Sequence, residues 1–160
     1  MTDDTPALQD LDARGASYRV VRTQRATSAE ESAQFQGIAL GQLLKSIVVR
    51  KAEDDYVFVL VPGDRSIDWR KLRSHLSVSR AALPERSEAE AVTGYEPGTI
   101  TPFGARTSLP VVVDVAAADC DVVALGAGAP GVNVHLDPKQ LGELLGAEFV
   151  DGTKPAPPRS

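Results

Sequence analysis

The 160-residue chain has one cysteine, one methionine, one tryptophan and two histidines. A lone cysteine, Cys120, can close no internal disulfide and build no multi-cysteine zinc site. His75 and His135 lie far apart in the chain, without the carboxylate–histidine spacing of metal ligands, so neither a metal nor a cofactor is expected. No apolar run approaches the ~20 residues that carry a helix across a bilayer. The opening MTDDTPALQD lacks the basic-then-apolar order of a secretory signal. These absences lead us to expect a cytoplasmic protein with no membrane partner. What remains is an ordinary globular composition, 42% hydrophobic and 24% charged, long enough for one domain with a proper core and too short for two comfortable ones.

The net charge of −5 argues against indiscriminate nucleic-acid binding, but the charge is unevenly placed. Residues 44–86 carry nine basic side chains against six acidic ones, a local +3, which leaves −8 for the remainder. On charge alone this is a solvated, arginine-rich helix face; a short nucleic-acid element is the alternative it leaves open.

Local signals outline the elements. Leu8 and Leu11 predict a short helix over Ala7–Arg14, stopped by Gly15. Tyr18–Arg22 is β-prone. Thr27-Ser28-Ala29-Glu30 has the form of a capping box with Thr27 as N-cap, opening a helix that ends near Gln36 before Gly37. Leu43–Arg50 and Tyr56–Val61 predict strands around a charged turn, and Pro62-Gly63-Asp64 breaks the chain. Asp68 caps a helix carrying Trp69, Leu72 and Leu76 on one face. Pro84–Val92 predicts a helix ended by Gly94. Val111–Val115, Val122–Leu125 and Val132–Leu136 predict three more strands, and Asp137-Pro138 starts a last helix that runs to Leu145. Without regular βαβ repetition this is an α+β (mixed α/β) domain over residues 5–152, with residues 153–160 as a disordered tail.

Gly126-Ala127-Gly128-Ala129-Pro130-Gly131 matches the dinucleotide pattern G-x-G-x-x-G, and Asp151 follows 20 residues beyond it. That motif requires a helix after the glycines, whose N-terminal amides hold a pyrophosphate. Here Val132-Asn133-Val134-His135-Leu136 alternates as a strand does, so the glycines form a turn between strands. Cys120 has acidic neighbours, which raise a thiol pKa and make it a poor nucleophile. His75 sits on the Trp69–Leu76 helix and reads as structural.

Two segments resist a packing explanation. Lys45 interrupts the apolar run Leu43–Val49, where burial disfavours an ammonium unless it faces a cleft; a lysine snorkelling to solvent is the alternative. Gly94-Tyr95-Glu96-Pro97-Gly98-Thr99-Ile100-Thr101-Pro102-Phe103-Gly104 packs three glycines and two prolines into eleven residues. Its backbone amides could approach a ligand closely and its aromatics could stack on a base, or it is an ordinary long connection.

In their order and separation, Leu44–Val49, Phe58–Asp64, Gly94–Gly98 with Pro102–Gly104, and the Gly126–Gly131 turn with its strand resemble the YbaK/prolyl-tRNA-synthetase-associated domain family of aminoacyl-tRNA editing deacylases. The resemblance covers roughly residues 7–151. It implies a curved mixed β-sheet flanked by helices, and hydrolysis of the ester joining a wrong amino acid to the tRNA 3′ adenosine. Lys45 matches the family's essential lysine, with backbone amides at Gly98 and Gly104 as oxyanion donors. Substrate-binding positions carried over are Gly94, Tyr95, Pro97, Phe103, Gly126, Gly128 and Asn133. The chain departs in the glycine turn, with Ala129-Pro130 where some relatives carry basic residues. The partners implied are the 3′ end of an aminoacyl-tRNA, for which tRNA for proline mischarged with alanine or cysteine is the expectation, alanine leading, and prolyl-tRNA synthetase. A non-catalytic tRNA- or synthetase-binding module of the same fold is the alternative. On the strand Val132–Leu136, Asn133 and His135 share one face, expected to border the pocket.

Overall fold

The computed structural model describes residues 5–157, and its elements follow the chain as α1 (Pro6–Ala13), β1 (Arg19–Arg22), α2 (Ala29–Gln36), β2 (Leu44–Ala52), β3 (Asp55–Pro62), β4 (Arg65–Ile67), α3 (Trp69–Leu76), α4 (Arg86–Thr93), β5 (Val111–Asp114), β6 (Val123–Gly126), β7 (Val132–Leu136), α5 (Pro138–Leu145), β8 (Glu148–Val150) and β9 (Thr153–Pro155). The hairpin β2–β3 is the centre. β3 pairs antiparallel with β2 and parallel with β5, which pairs parallel with β8. A second, antiparallel sheet runs β1-β7-β6. A parallel bridge between Leu43 and Ala124 carries the start of β2 onto β6, so the two sheets continue into one another. The result is the mixed sheet flanked by helices that the sequence predicts. Among the described residues no helix is long and apolar enough to cross a membrane.

Period-two alternation divides the core into two layers. Leu44, Val48, Tyr56, Phe58, Leu60, Val111 and Val113 face one side, against α1, α5 and the inner residues of β6 and β7. Val49, Val57, Val59, Val61 and Val112 face the other, against Leu72 of α3 and Val150. Each fully buried large aliphatic or aromatic side chain contributes about 1.5–3 kcal/mol.

The helix ends follow their local chemistry. Asp68 accepts from the Lys71 amide, Asp137 from the Gln140 amide, and Gly37, Gly94 and Gly146 end their helices in the left-handed conformation. The cap of α2 lies one residue later than the sequence predicts. Ser28 accepts from the Glu31 amide, and Glu31, not Glu30, reaches back to the Thr27 amide.

Three three-residue strands, β4, β8 and β9, were not foreseen. β9 pairs with β4, so residues 153–155 are ordered, against the expectation of a tail from 153; residues 158–160 of that tail lie outside the described residues. The cause is a buried polar cluster. Thr153 Oγ1 donates to Asp114 Oδ1 at 2.8 Å, the Arg65 guanidinium donates to Thr153 Oγ1 at 2.6 Å, and Asp114 also accepts from the Ala116 amide. Asp114 is 2% exposed, and a carboxylate taken out of water needs these donors.

Candidate active site

A pocket of about 440 Å³ opens where the start of β2 meets β6 and β7. That volume lies within the range of small-molecule sites, about 300–1,000 Å³. Four stretches wall it: residues 23, 25–29 and 32 from the β1–α2 connection and the start of α2, residues 43–46, residues 97–100, and residues 126 and 129–133 around the glycine turn.

Lys45 is on this wall. Strand alternation puts it on the face of Ile47 and Val49, and its Nζ donates to the Arg65 carbonyl at 3.0 Å. Burial pushes the ammonium below the ordinary lysine value, while the carboxylates of Asp64 and Glu30 pull it back up. The ammonium is thus tethered by one donor and has others left for a ligand. The buried Asp114–Thr153–Arg65 cluster fixes β4, and with it the carbonyl that aims Lys45.

Pro97, Gly98, Gly126 and Asn133 line the same pocket. Gly98 (φ 91°) and Gly126 are open: a Cβ on either would meet nothing within 4 Å. Asn133 donates to the Val21 carbonyl at 3.3 Å, which leaves its Oδ1 without a protein partner among the described residues. The Ser46 hydroxyl, on the same wall, is buried with no hydrogen-bond partner among the described residues.

Five expected site residues lie elsewhere. Phe103 is fully buried in the core, and Tyr95, 5% exposed, donates its hydroxyl to the Phe103 carbonyl at 2.7 Å. Burial, with Asp10 nearby, pushes the Tyr95 phenol up to about 12, so it stays a donor. Gly128 lets the turn lie on the Tyr95 ring, which a Cβ would approach to 2.7 Å. Gly104 presses on α1, where a Cβ would stand 2.5 Å from the Pro6 carbonyl, and its amide donates to Asp10 at 2.8 Å. An amide already bonded to a carboxylate is not an oxyanion donor, which corrects the role expected of Gly104. Gly94 ends α4. These residues pack the core, α1 and the end of α4, and none of them lines the pocket.

His135 does not line the pocket, although it shares the Asn133 face; its Nε2 meets Gln36 Oε1 at 2.8 Å. The wall also includes residues the sequence did not flag: Thr23, Arg25, Thr27, Ser28 and Ser32. Their only local sign is a run of small hydroxyls and an arginine before a helix. What brings them in is long-range, since Gly131 packs directly on the Thr23 carbonyl and accepts from the Thr23 amide at 2.9 Å. The turn joins antiparallel β6 and β7, as the sequence predicts, and no helix follows it to cradle a dinucleotide. Cys120 lies outside the pocket, its thiol raised by burial and by Asp121 and Asp119. His75, on α3, sits 3.5 Å from Glu148.

Comparison with known proteins bears on this arrangement. The profile of the aminoacyl-tRNA editing domain matches residues 23–144. The chain is 25% identical over 136 residues to EbsC of Enterococcus faecalis, named as a candidate Cys-tRNA(Pro)/Cys-tRNA(Cys) deacylase, covering 85% of this chain and 83% of that one. It is 31% identical over 107 residues to the multifunctional Ser/Thr-tRNA deacylase ProXp-y of Escherichia coli, covering 65% of this chain and 64% of that one. A crystal structure described as a candidate trans-editing enzyme for prolyl-tRNA synthetase superposes with a TM-score of 0.85 at 28% identity, over 93% of this chain and 95% of its own.

Proposed function

The chain belongs to the aminoacyl-tRNA editing domain family, and from that premise we propose that it is a trans-acting deacylase that hydrolyses the ester between a mischarged amino acid and the tRNA 3′ adenosine. The observation that carries this reading is Lys45, a half-buried ammonium with free donors on the wall of a pocket whose backbone is open at Gly98 and Gly126.

With neither the Cys120 thiol nor a histidine ring on the wall, the protein's own contribution is positioning and electrostatics. Lys45 holds the terminal phosphate or the ester carbonyl oxygen, and the Gly98 amide supplies the oxyanion contact that Gly104 cannot. Water adds to the carbonyl carbon, the bond to the ribose oxygen breaks, and that oxygen takes the proton as the free amino acid leaves. Asn133 Oδ1 is placed to accept from the substrate amine.

Ala26, Ala29 and Ala129 keep the walls short-sided, which suits a small amino acid and excludes larger ones by size. Alanine on tRNA for proline is the substrate we favour, with cysteine the competitor, and the cytoplasm, where charged tRNA circulates, is the place of action. Arg50, Lys51, Arg73 and Arg80 line a second, open cleft of about 470 Å³ beyond the far end of β2, where phosphates of the acceptor stem would find cations. Joint action with prolyl-tRNA synthetase belongs to the same proposal.

The test is a panel of alanyl-, cysteinyl-, seryl- and prolyl-tRNA for proline. Alanine should be released with turnover and prolyl-tRNA spared. Cysteine faster than alanine by more than about tenfold, roughly 1.4 kcal/mol in barrier, would overturn the choice of amino acid. Binding without turnover on every member would replace the enzyme with a tRNA-binding module.

A further inference from the structure

Behind the pocket wall runs a line of polar groups whose direction follows from how the Gln36 amide is set, its oxygen toward His135 and its nitrogen toward Ser32. His135 and Gln36 are 5% and 7% exposed, and His135 Nε2 lies 2.8 Å from Gln36 Oε1. Gln36 Nε2 in turn lies 2.9 Å from Ser32 Oγ, and Ser32 is on the pocket wall. An amide nitrogen only donates, so the Ser32 oxygen accepts; an amide oxygen only accepts, so His135 carries its proton on Nε2. Burial and Arg19 hold the His135 ring below the usual histidine range, leaving it neutral with that single N–H. The Ser32 oxygen is thereby occupied and its own O–H is left over, with no acceptor among the described residues.

Three neighbouring hydroxyls differ, whereas Ser28, which accepts from the Glu31 amide, and the buried Ser46 donate to no acceptor among the described residues. Thr23 donates to the Gln24 carbonyl, Thr27 to Glu31 and Thr99 to the Glu96 carbonyl, each closing on its own local backbone or helix. Tying α2 to β7 needs only the Gln36–His135 bond. The further link to Ser32 adds little to that tether, but it does turn a hydroxyl hydrogen outward.

We propose that Ser32 is a substrate-contacting donor of the deacylase site, its O–H given to an oxygen of the aminoacyl ester, with Gln36 and His135 as the positioning residues that aim it. This rests on the deacylase reading above. It adds a contact from α2 to the Lys45 and Gly98 walls, so that the reacting end is held from three sides.

Four variants and three readouts test it. Ser32→Ala should lower kcat/KM on alanyl-tRNA by about tenfold, the value of one hydrogen bond, with Tm unchanged. Ser32→Thr, which keeps the O–H, should restore most of the loss. Gln36→Glu is the sharpest arm. The new carboxylate still accepts from His135 but can no longer donate to Ser32, whose O–H turns back to it and leaves the pocket. Activity should fall as in Ser32→Ala while Tm holds or rises. Gln36→Met, which breaks the line without recapturing the hydroxyl, should cost less activity than Gln36→Glu.

In parallel, calorimetry with the non-hydrolysable 3′-alanylamido-3′-deoxyadenosine should show wild-type protein binding more tightly than Ser32→Ala by a similar factor. Equal affinity of the two proteins, wild-type kcat/KM in both Ser32→Ala and Gln36→Glu, or losses matched by a fall in Tm would each overturn the proposal. Wild-type protein that binds the analogue yet never releases alanine would instead fail the deacylase reading, with the affinity comparison still deciding the role of Ser32.

Discussion

Gly98 and Gly104 stand six residues apart in one loop and share the left-handed backbone, φ 91° and φ 69°. Their surroundings are opposite. Around Gly98 there is open space on the pocket side, and its amide makes no bond among the described residues. Gly104 is wedged against Pro6 and Ala7 of α1, with its amide held by Asp10. The same residue type in the same left-handed region thus does two jobs. Glycine at 104 lets two backbones touch, and glycine at 98 leaves room for a third party. Within the glycine-proline loop, residues 97–100 are therefore wall, and Tyr95 before them and Phe103 and Gly104 after them are packing.

Substitution should separate the two roles. Gly104→Ala combines a strained φ with a clash against backbone that cannot move aside, and should cost about 4 kcal/mol in urea unfolding. Asp114→Ala, which strips Thr153 and the Ala116 amide of their acceptor, should cost about 3 kcal/mol. It should also slow deacylation, because Arg65 no longer holds its carbonyl under Lys45. Gly98→Ala meets only the φ cost, about 1–2 kcal/mol, yet should lose more turnover than Gly104→Ala when both are measured as folded protein. If Gly98→Ala proves as unstable as Gly104→Ala, the division of the loop is wrong.

The smallest effect concerns pH. A required Lys45 ammonium is lost as pH rises through its lowered pKa, so deacylation, corrected for spontaneous ester hydrolysis, should fall at a pH below that of an ordinary lysine. Asp64→Asn removes a charge that raises this pKa, so the alkaline limb should move lower still. A shift to higher pH would contradict the electrostatics of the site.

What could be read in advance was what depends on neighbours in sequence. Asp68, Asp137-Pro138, Gly37 and Gly146 mark their helices because a cap acts within one turn. Where two hydroxyls adjoin, as Thr27 and Ser28 do, the local signal cannot choose between them, and packing selects Ser28. β4 and β9 carry no periodicity in three residues each; Thr153 becomes a strand residue because Asp114, distant in the chain, needs its hydroxyl. The site divides in the same way. Lys45 stands out because an ammonium on an apolar strand calls for a cleft. The stretch 23–32 has no such anomaly, and becomes a wall only when Gly131 closes on Thr23. Tyr95, Phe103 and Gly104 share the loop's composition with Pro97 and Gly98, and only burial distinguishes them.

The central claim is that the Lys45 ammonium drives ester hydrolysis from the pocket wall and contributes little to the fold. Its most direct test is turnover of alanyl-tRNA for proline by Lys45→Ala, taken beside a thermal melt. Lys45 makes one hydrogen bond and is half buried, so the variant should melt within a few degrees of the wild type while its kcat/KM falls by at least about a hundredfold, the scale of losing one electrostatic contact to the reacting group. A Lys45→Ala protein that keeps its Tm and releases alanine at the wild-type rate would contradict the account.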